Sequence, residues 1–135
     1  MKSICFLLSF VALIAGCSSA VDGPPRYKVS GEVSYDGKPV PAGYLVIEPD
    51  HELGNQGPQA RLEIVNGMFT TRSGKGAISG PVIVRIYGMD GIPDEEKGLN
   101  QGASLFDEYI TKLELPAENS VHTFVVPKSN AAKTR

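Results

Sequence analysis

Few residues of this chain have the chemistry to act on a substrate, and their spacing decides what they could do. Asp50, His51 and Glu52 form one local run of metal-ligating types. Consecutive side chains on an extended segment alternate between faces, so three neighbours cannot converge on one ion without a tight loop. His122 lies in Ser120–Val126, where it shares a face with Phe124 and Val126, and it reads as a packed or rim histidine. Serines, two histidines and aspartates are present, but none stands in a Gly-x-Ser-x-Gly elbow. The run Gly74-Lys75-Gly76-Ala77-Ile78-Ser79-Gly80 lacks the spacing and the following helix of a phosphate loop. No metal, cofactor or catalytic residue is therefore expected. A thiol is left: Cys17 stands directly behind Ile14 and the two small residues Ala15 and Gly16.

What precedes Cys17 gives that thiol its context. Lys2 is followed by an apolar run from Ile4 to Ala15. This run has the length of an export-signal core and is too short to cross a bilayer core of about 30 Å as a helix. Ile14-Ala15-Gly16-Cys17 resembles the lipobox of bacterial lipoproteins. The resemblance implies cleavage between Gly16 and Cys17, a diacylglyceryl group on the thiol, and a further acyl chain such as palmitate on the new amine. Two or three chains anchor stably, whereas one binds reversibly. Ser18 follows, with no aspartate to suggest inner-membrane retention, so the outer membrane is the expected address.

Removal of residues 1–16 leaves 119 of the 135 residues and takes Cys5 with it. With Cys17 acylated, no disulfide can form, and a single domain of this size must hold itself by burial. The mature chain carries 12 basic against 15 acidic residues. That balance excludes nucleic acid as a partner, and no run of basic residues offers an electrostatic hold on lipid, so membrane association rests on Cys17. Residues 17–26 are small, polar or proline and read as a lipidated tether; Ser18 to Arg26 reach roughly 30 Å.

Beyond the tether, period-two patterning dominates. Tyr27, Val29, Gly31, Val33 and Tyr35 alternate with Lys28, Ser30, Glu32 and Ser34. Further strands are expected over 43–49, 60–65, 68–72, 82–88, 109–115 and 120–126, with a short turn of helix near Ser104–Glu108. Asn66-Gly67 is a strong two-residue hairpin signal, and Asp36-Gly37 with Pro39 and Pro41 forms the corner between the first two strands. Seven short strands without crossover helices predict an all-β fold, a seven-stranded antiparallel β-sandwich over residues 27–127, followed by a frayed polar tail at 128–135.

The connection from Gly88 to Glu108 is long for an ordered loop, and its glycines and acidic cluster at 94–96 favour disorder over a built site. It is nonetheless the best place for a partner to bind, and Phe106 and Tyr109 beside it are the candidate partner-site residues. Tyr27 and Tyr35 read as packing residues, while Tyr44, Tyr87 and Tyr109 stay open.

The order of these motifs is similar to a known family. Val29-Ser30-Gly31-Glu32-Val33, then Asp36-Gly37-Lys38-Pro39, then Asn66-Gly67-Met68-Phe69 and the glycine-led strand from Gly80 to Ile86 resemble the carboxypeptidase regulatory-like, transthyretin-like domains of small bacterial lipoproteins. Val82 departs from the aromatic usual there, and Phe106 stands near where a proline is common. The resemblance implies a prealbumin-like, Ig-like Greek-key sandwich without catalysis of its own. It does not extend to the related isourate hydrolases, whose closing Tyr-Arg-Gly-Ser signature is missing here. The expectation is a membrane-anchored envelope lipoprotein, non-catalytic, whose residues name no ligand. A cell-envelope hydrolase acting at the 88–108 loop is one alternative, and a module that pairs with another envelope protein by strand addition is a second.

Overall fold

A computed structural model describes residues 23–132; the apolar run, Gly16 and Cys17 lie outside the described residues. Ten strands follow one another along the chain: β1 (Arg26–Tyr27), β2 (Val29–Tyr35), β3 (Lys38–Pro39), β4 (Ala42–Pro49), β5 (Ala60–Val65), β6 (Met68–Thr70), β7 (Ala77–Ile78), β8 (Gly80–Met89), β9 (Tyr109–Leu115) and β10 (Ser120–Val126). The seven longer ones fall where period-two patterning predicts them. The extra three are two-residue pairings, too short to leave a period. The described residues hold no α-helix, and Ser104–Glu108 is irregular; single 3₁₀ turns occur at His51–Leu53 and Lys128–Asn130.

The strands form one curled sheet in the order β10-β2-β6-β5-β4-β8-β9, with β3 attached to β2, while β1 and β7 pair separately. The sheet folds over a core of Val29, Val33, Leu45, Leu62, Ile64, Val84, Ile86 and Val126, each at most 2 % exposed. Every second residue of β5 is buried and every other exposed, the alternation that a sheet wet on one face requires. Two primed turns set the register. Asn66-Gly67 joins β5 to β6 with φ of 49° and 78°, and Asp36-Gly37 joins β2 to β3 with φ of 49° and 73°. Both sites need positive φ at two positions, which Asn-Gly and Asp-Gly tolerate.

One pairing is not antiparallel. β10 lies parallel to β2 through all seven residues, from Ser120 opposite Val29 to Val126 opposite Tyr35. The backbones meet so closely at Gly31 that a Cβ there would collide with the carbonyl of His122, and Gly31 itself has φ of 154°. The glycine in the middle of the first long strand is therefore a contact point between the two ends of the domain.

Strand directions divide the sandwich into two poles. The starts of β2, β5, β8 and β10 lie at one, with the incoming chain at Gly23–Arg26. Their ends lie at the other, with both primed turns, the 90–108 connection and the C-terminal segment. Replacing Gly31 by Ala adds a collision to an unfavourable φ and is expected to cost about 3 kcal/mol or more. Gly37→Ala, which meets no neighbouring atom, should cost about 1 kcal/mol. Urea denaturation measures both, and a smaller loss at Gly31 than at Gly37 would contradict the β2–β10 register.

Candidate functional site

The pole bearing the 90–108 connection was the expected place for a partner, and the segment is built rather than disordered. Asp90 holds its base: one carboxylate oxygen accepts from the backbone N–H of Ile92 at 2.9 Å and of Ala103 at 3.1 Å. Backbone bonds from Asp90 to Ala103 and from Gly91 to Gln101, both 2.9 Å, continue the clasp. Nearer the tip, Asp94 and Leu99 exchange two backbone bonds, and Lys97 reaches Asp94 at 2.7 Å. Side-chain-to-backbone bonds satisfy the donors that a sheet ladder would otherwise take, so the segment orders without strand patterning.

Of the tail expected to fray, residues 128–132 join the same structure, and 133–135 lie outside the described residues. Asp107 N–H donates to the carbonyl of Asn130 at 2.9 Å, and the Asn130 amide donates to the carbonyl of Asp107 at 2.6 Å. Ala132 N–H reaches Leu105 at 3.3 Å, which extends the ordered chain past Lys128 to the last described residue.

Phe106, expected at a partner surface, is a core residue. Its ring is 3 % exposed, lies 5.1 Å from that of Tyr35, and fills the space over Gly88 that a Cβ would need. Tyr109 sits opposite Ile86 and packs half-buried against the core. Both rings turn inward because the connection folds back over the open end of the sandwich. What it offers solvent is Ile92, 69 % exposed, and the charged tip around Glu95, Glu96 and Lys97.

The richest polar constellation lies on the outer face of β5, β4 and β8. Arg61 covers the Tyr44 ring at 3.8 Å, and Tyr44 stacks on Tyr87 with centroids 4.7 Å apart and planes 24° apart. The Tyr87 hydroxyl donates to Glu108, the last residue of the long connection. Arg85 donates to the same carboxylate at 3.2 Å and to Glu48 at 2.8 Å. The bond to Glu108, reinforced by burial, pushes Tyr87 up to about 12, and the same bond holds Glu108 below the usual carboxylate range. Hydrogen bonds to Glu48 and Glu108 raise Arg85. The period-two pattern puts Tyr44 and Tyr87 on outward faces, but only the register of β4 on β8 makes them neighbours. With Arg61 on one side and Tyr87 on the other, Tyr44 has no ring face left for a sugar. Arg85 meets both carboxylates and Arg61 lies on a ring, an arrangement that suits a cross-strand brace rather than a reaction centre.

The remaining candidates separate in space. Asp50 is 1 % exposed, caps the 3₁₀ turn through Glu52 N–H and receives Lys112 at 2.9 Å, whereas His51 and Glu52 point to solvent. The Lys112 bond holds Asp50 below its ordinary value. Among the described residues no three His, Cys, Asp or Glu side chains come together as a metal site. His122 faces inward as its pattern predicts, with its ring 6.4 Å from Phe124 and Nε2 at 2.9 Å from the Ser120 hydroxyl. This is the nearest approach to a nucleophile–base pair. Among the described residues no carboxylate orients the far ring nitrogen, as a triad requires.

Comparison with protein families, curated proteins and solved structures yields no match to this chain.

Two titrations test the geometry. Tyr87 is raised, so the stability it contributes is present below pH 10 and is lost between pH 10 and about 12. Ultraviolet titration should show one tyrosine with a midpoint near 12 that disappears in Tyr87→Phe; five tyrosines titrating together would contradict the Glu108 bond. Burial lowers His122, so stability is present above its ordinary value of 6.5 and is lost as pH falls below it. His122→Gln should flatten that acid limb in chemical denaturation, and an unchanged limb would exclude His122 as its source.

Proposed function

We propose that the chain is an envelope lipoprotein whose β-sandwich is a non-catalytic recognition or structural domain held at the membrane by acyl chains on Cys17. The observation that carries this reading is Ile14-Ala15-Gly16-Cys17 at the end of a charged-then-apolar leader, followed within six residues by the described domain. A fully extended stretch from Cys17 to Gly23 spans about 20 Å, so the sandwich stands close to the bilayer. The opposite direction of the 90–108 connection supports the same reading. It lies at the far end of strands that begin beside the incoming chain, where it would face away from the lipid and towards a partner in the envelope.

The reactive groups of the sandwich are employed in holding it together, which supports a non-catalytic role. Glu108 and Glu48 both bind Arg85, Asp50 is tied to Lys112, and His122 lies against Phe124. A second reading, strand addition, is favoured by the sheet ends: among the described residues β9 pairs only with β8, and β10 only with β2. β10 also carries Val121 and Val125 outward, 76 % and 62 % exposed. An incoming strand could lengthen the sheet there, since a free edge offers unpaired backbone donors and acceptors.

Metabolic labelling with an acyl-chain probe tests the anchor. Wild-type chain should be labelled, and Cys17→Ala should lose the label and leave the membrane fraction. Equal labelling of both would refute acylation at Cys17.

A further inference from the structure

We propose that the pole where the chain enters the sandwich docks on anionic phospholipid headgroups through a basic groove made by Arg26, Lys28, Arg72 and Lys75. The inference deepens the proposed function and rests on it, because it takes the bilayer holding the acyl chains as the surface that the groove meets.

No stretch of sequence contains this patch; folding assembles it from two distant segments. Pairing of β1 with β7, and of β2 with β6, brings residues 23–28 against residues 70–76, more than forty positions away. A groove of about 1160 Å³ runs between the two segments. Its lining includes all four cations, two threonines, a serine and three prolines, and no acidic side chain. Arg61 extends the charge into an adjoining groove of about 340 Å³, whose one acid, Glu63, meets Arg72 at 3.5 Å. Arg26, Lys28 and Lys75 form no ion pair among the described residues. By contrast, Lys97, Lys112, Lys128 and Arg85 are each committed to a carboxylate. Three uncommitted cations thus line one groove of a chain whose net charge is −2, while at the far pole only Lys38 is without an ion pair among the described residues.

Position selects the occupant. The lining begins at Gly23, and six peptide units separate it from Cys17, a maximum of about 20 Å. Attraction to a charged surface decays over about 8 Å at physiological salt, so a patch this near the anchor can work, whereas one at the far pole could not. The cations stand on exposed side chains around an open groove, and the one buried polar side chain in its lining, Thr71, already accepts the backbone N–H of Val29 at 3.2 Å. That form suits a plane of phosphates better than a single free one. Each Lys or Arg brought to an anionic surface shifts the docked-to-free ratio about fivefold. Docking by these residues would fix the orientation of the sandwich, which acyl chains on a tether leave open.

Hydrogen exchange on the full chain tests the inference, read at the amides of Arg72–Gly76. The chain is mixed with vesicles of phosphatidylcholine alone or with one quarter phosphatidylglycerol, and intact mass is recorded on the same sample. Anionic vesicles should protect these amides, neutral vesicles should not, and high salt should abolish the protection. Lys28→Gln with Lys75→Gln should lower the docked-to-free ratio about thirtyfold, while Lys97→Gln at the far pole should leave it unchanged. Equal protection on both vesicle types, or indifference to the double substitution, would overturn the proposal. Full protection by inorganic phosphate without vesicles would overturn it in favour of a soluble anion. An intact mass lacking acyl groups would instead remove the anchor, and the exchange ratio on anionic against neutral vesicles would still decide the groove.

Discussion

The contact on which the rest of the molecule depends is the approach of two backbones at Gly31. Laying β10 parallel to β2 brings the last strand of the domain against the first, and the carbonyl of His122 occupies the space a side chain at position 31 would take. A parallel partner cannot arrive through a hairpin; the chain must return to the pole where it began. β9 supplies that return, and the turn at 116–119 starts β10 beside the incoming chain, where Ser120 N–H donates to the carbonyl of Lys28 at 2.9 Å. Burial follows from the same arrangement, since Phe124 on β10 lies over Phe69 on β6, with centroids 5.7 Å apart.

That topology gives the two ends of the sandwich different characters. One end collects unpaired cations beside the incoming chain. The other collects tight turns, the clasped connection and the C-terminal residues, all tied by backbone bonds. Between them, the outer face of β4, β5 and β8 is braced by stacked rings and paired charges, with Glu108 fastening the end of the long connection to the sheet. The core supplies the apolar burial, and the brace adds register without adding a reactive group.

Much of this was legible in the sequence because strands wet on one face must alternate, and Ala60–Val65 does so without exception. Asn66-Gly67 and Asp36-Gly37 were legible for a related reason, as few other pairs accept positive φ twice in succession. Pairings between distant residues leave no such trace. Nothing at Gly31 announces His122, and nothing at Arg26 announces Lys75. The burial of Phe106 is not legible either: a hydrophobic residue in a glycine-rich segment resembles a surface anchor until Gly88, with no side chain of its own, opens a seat for it. The order of the connection between Gly88 and Glu108 is not legible because it comes from Asp90, whose carboxylate bonds to backbone at two separated points and follows no period.

The clasp at Asp90 also divides the connection into a base and a tip. Bonds to Ile92 and Ala103 close the base, with Gly102 packed against Asp90, while the tip from Asp94 to Leu99 is closed by its own pair of backbone bonds. The protein is in this respect a mounting: a short foreign peptide could replace residues 95–98 and be displayed at the end of the sandwich away from the incoming chain, with its two ends already held together. The same modularity leaves the tip free to diverge over evolutionary time without disturbing the strands beneath it.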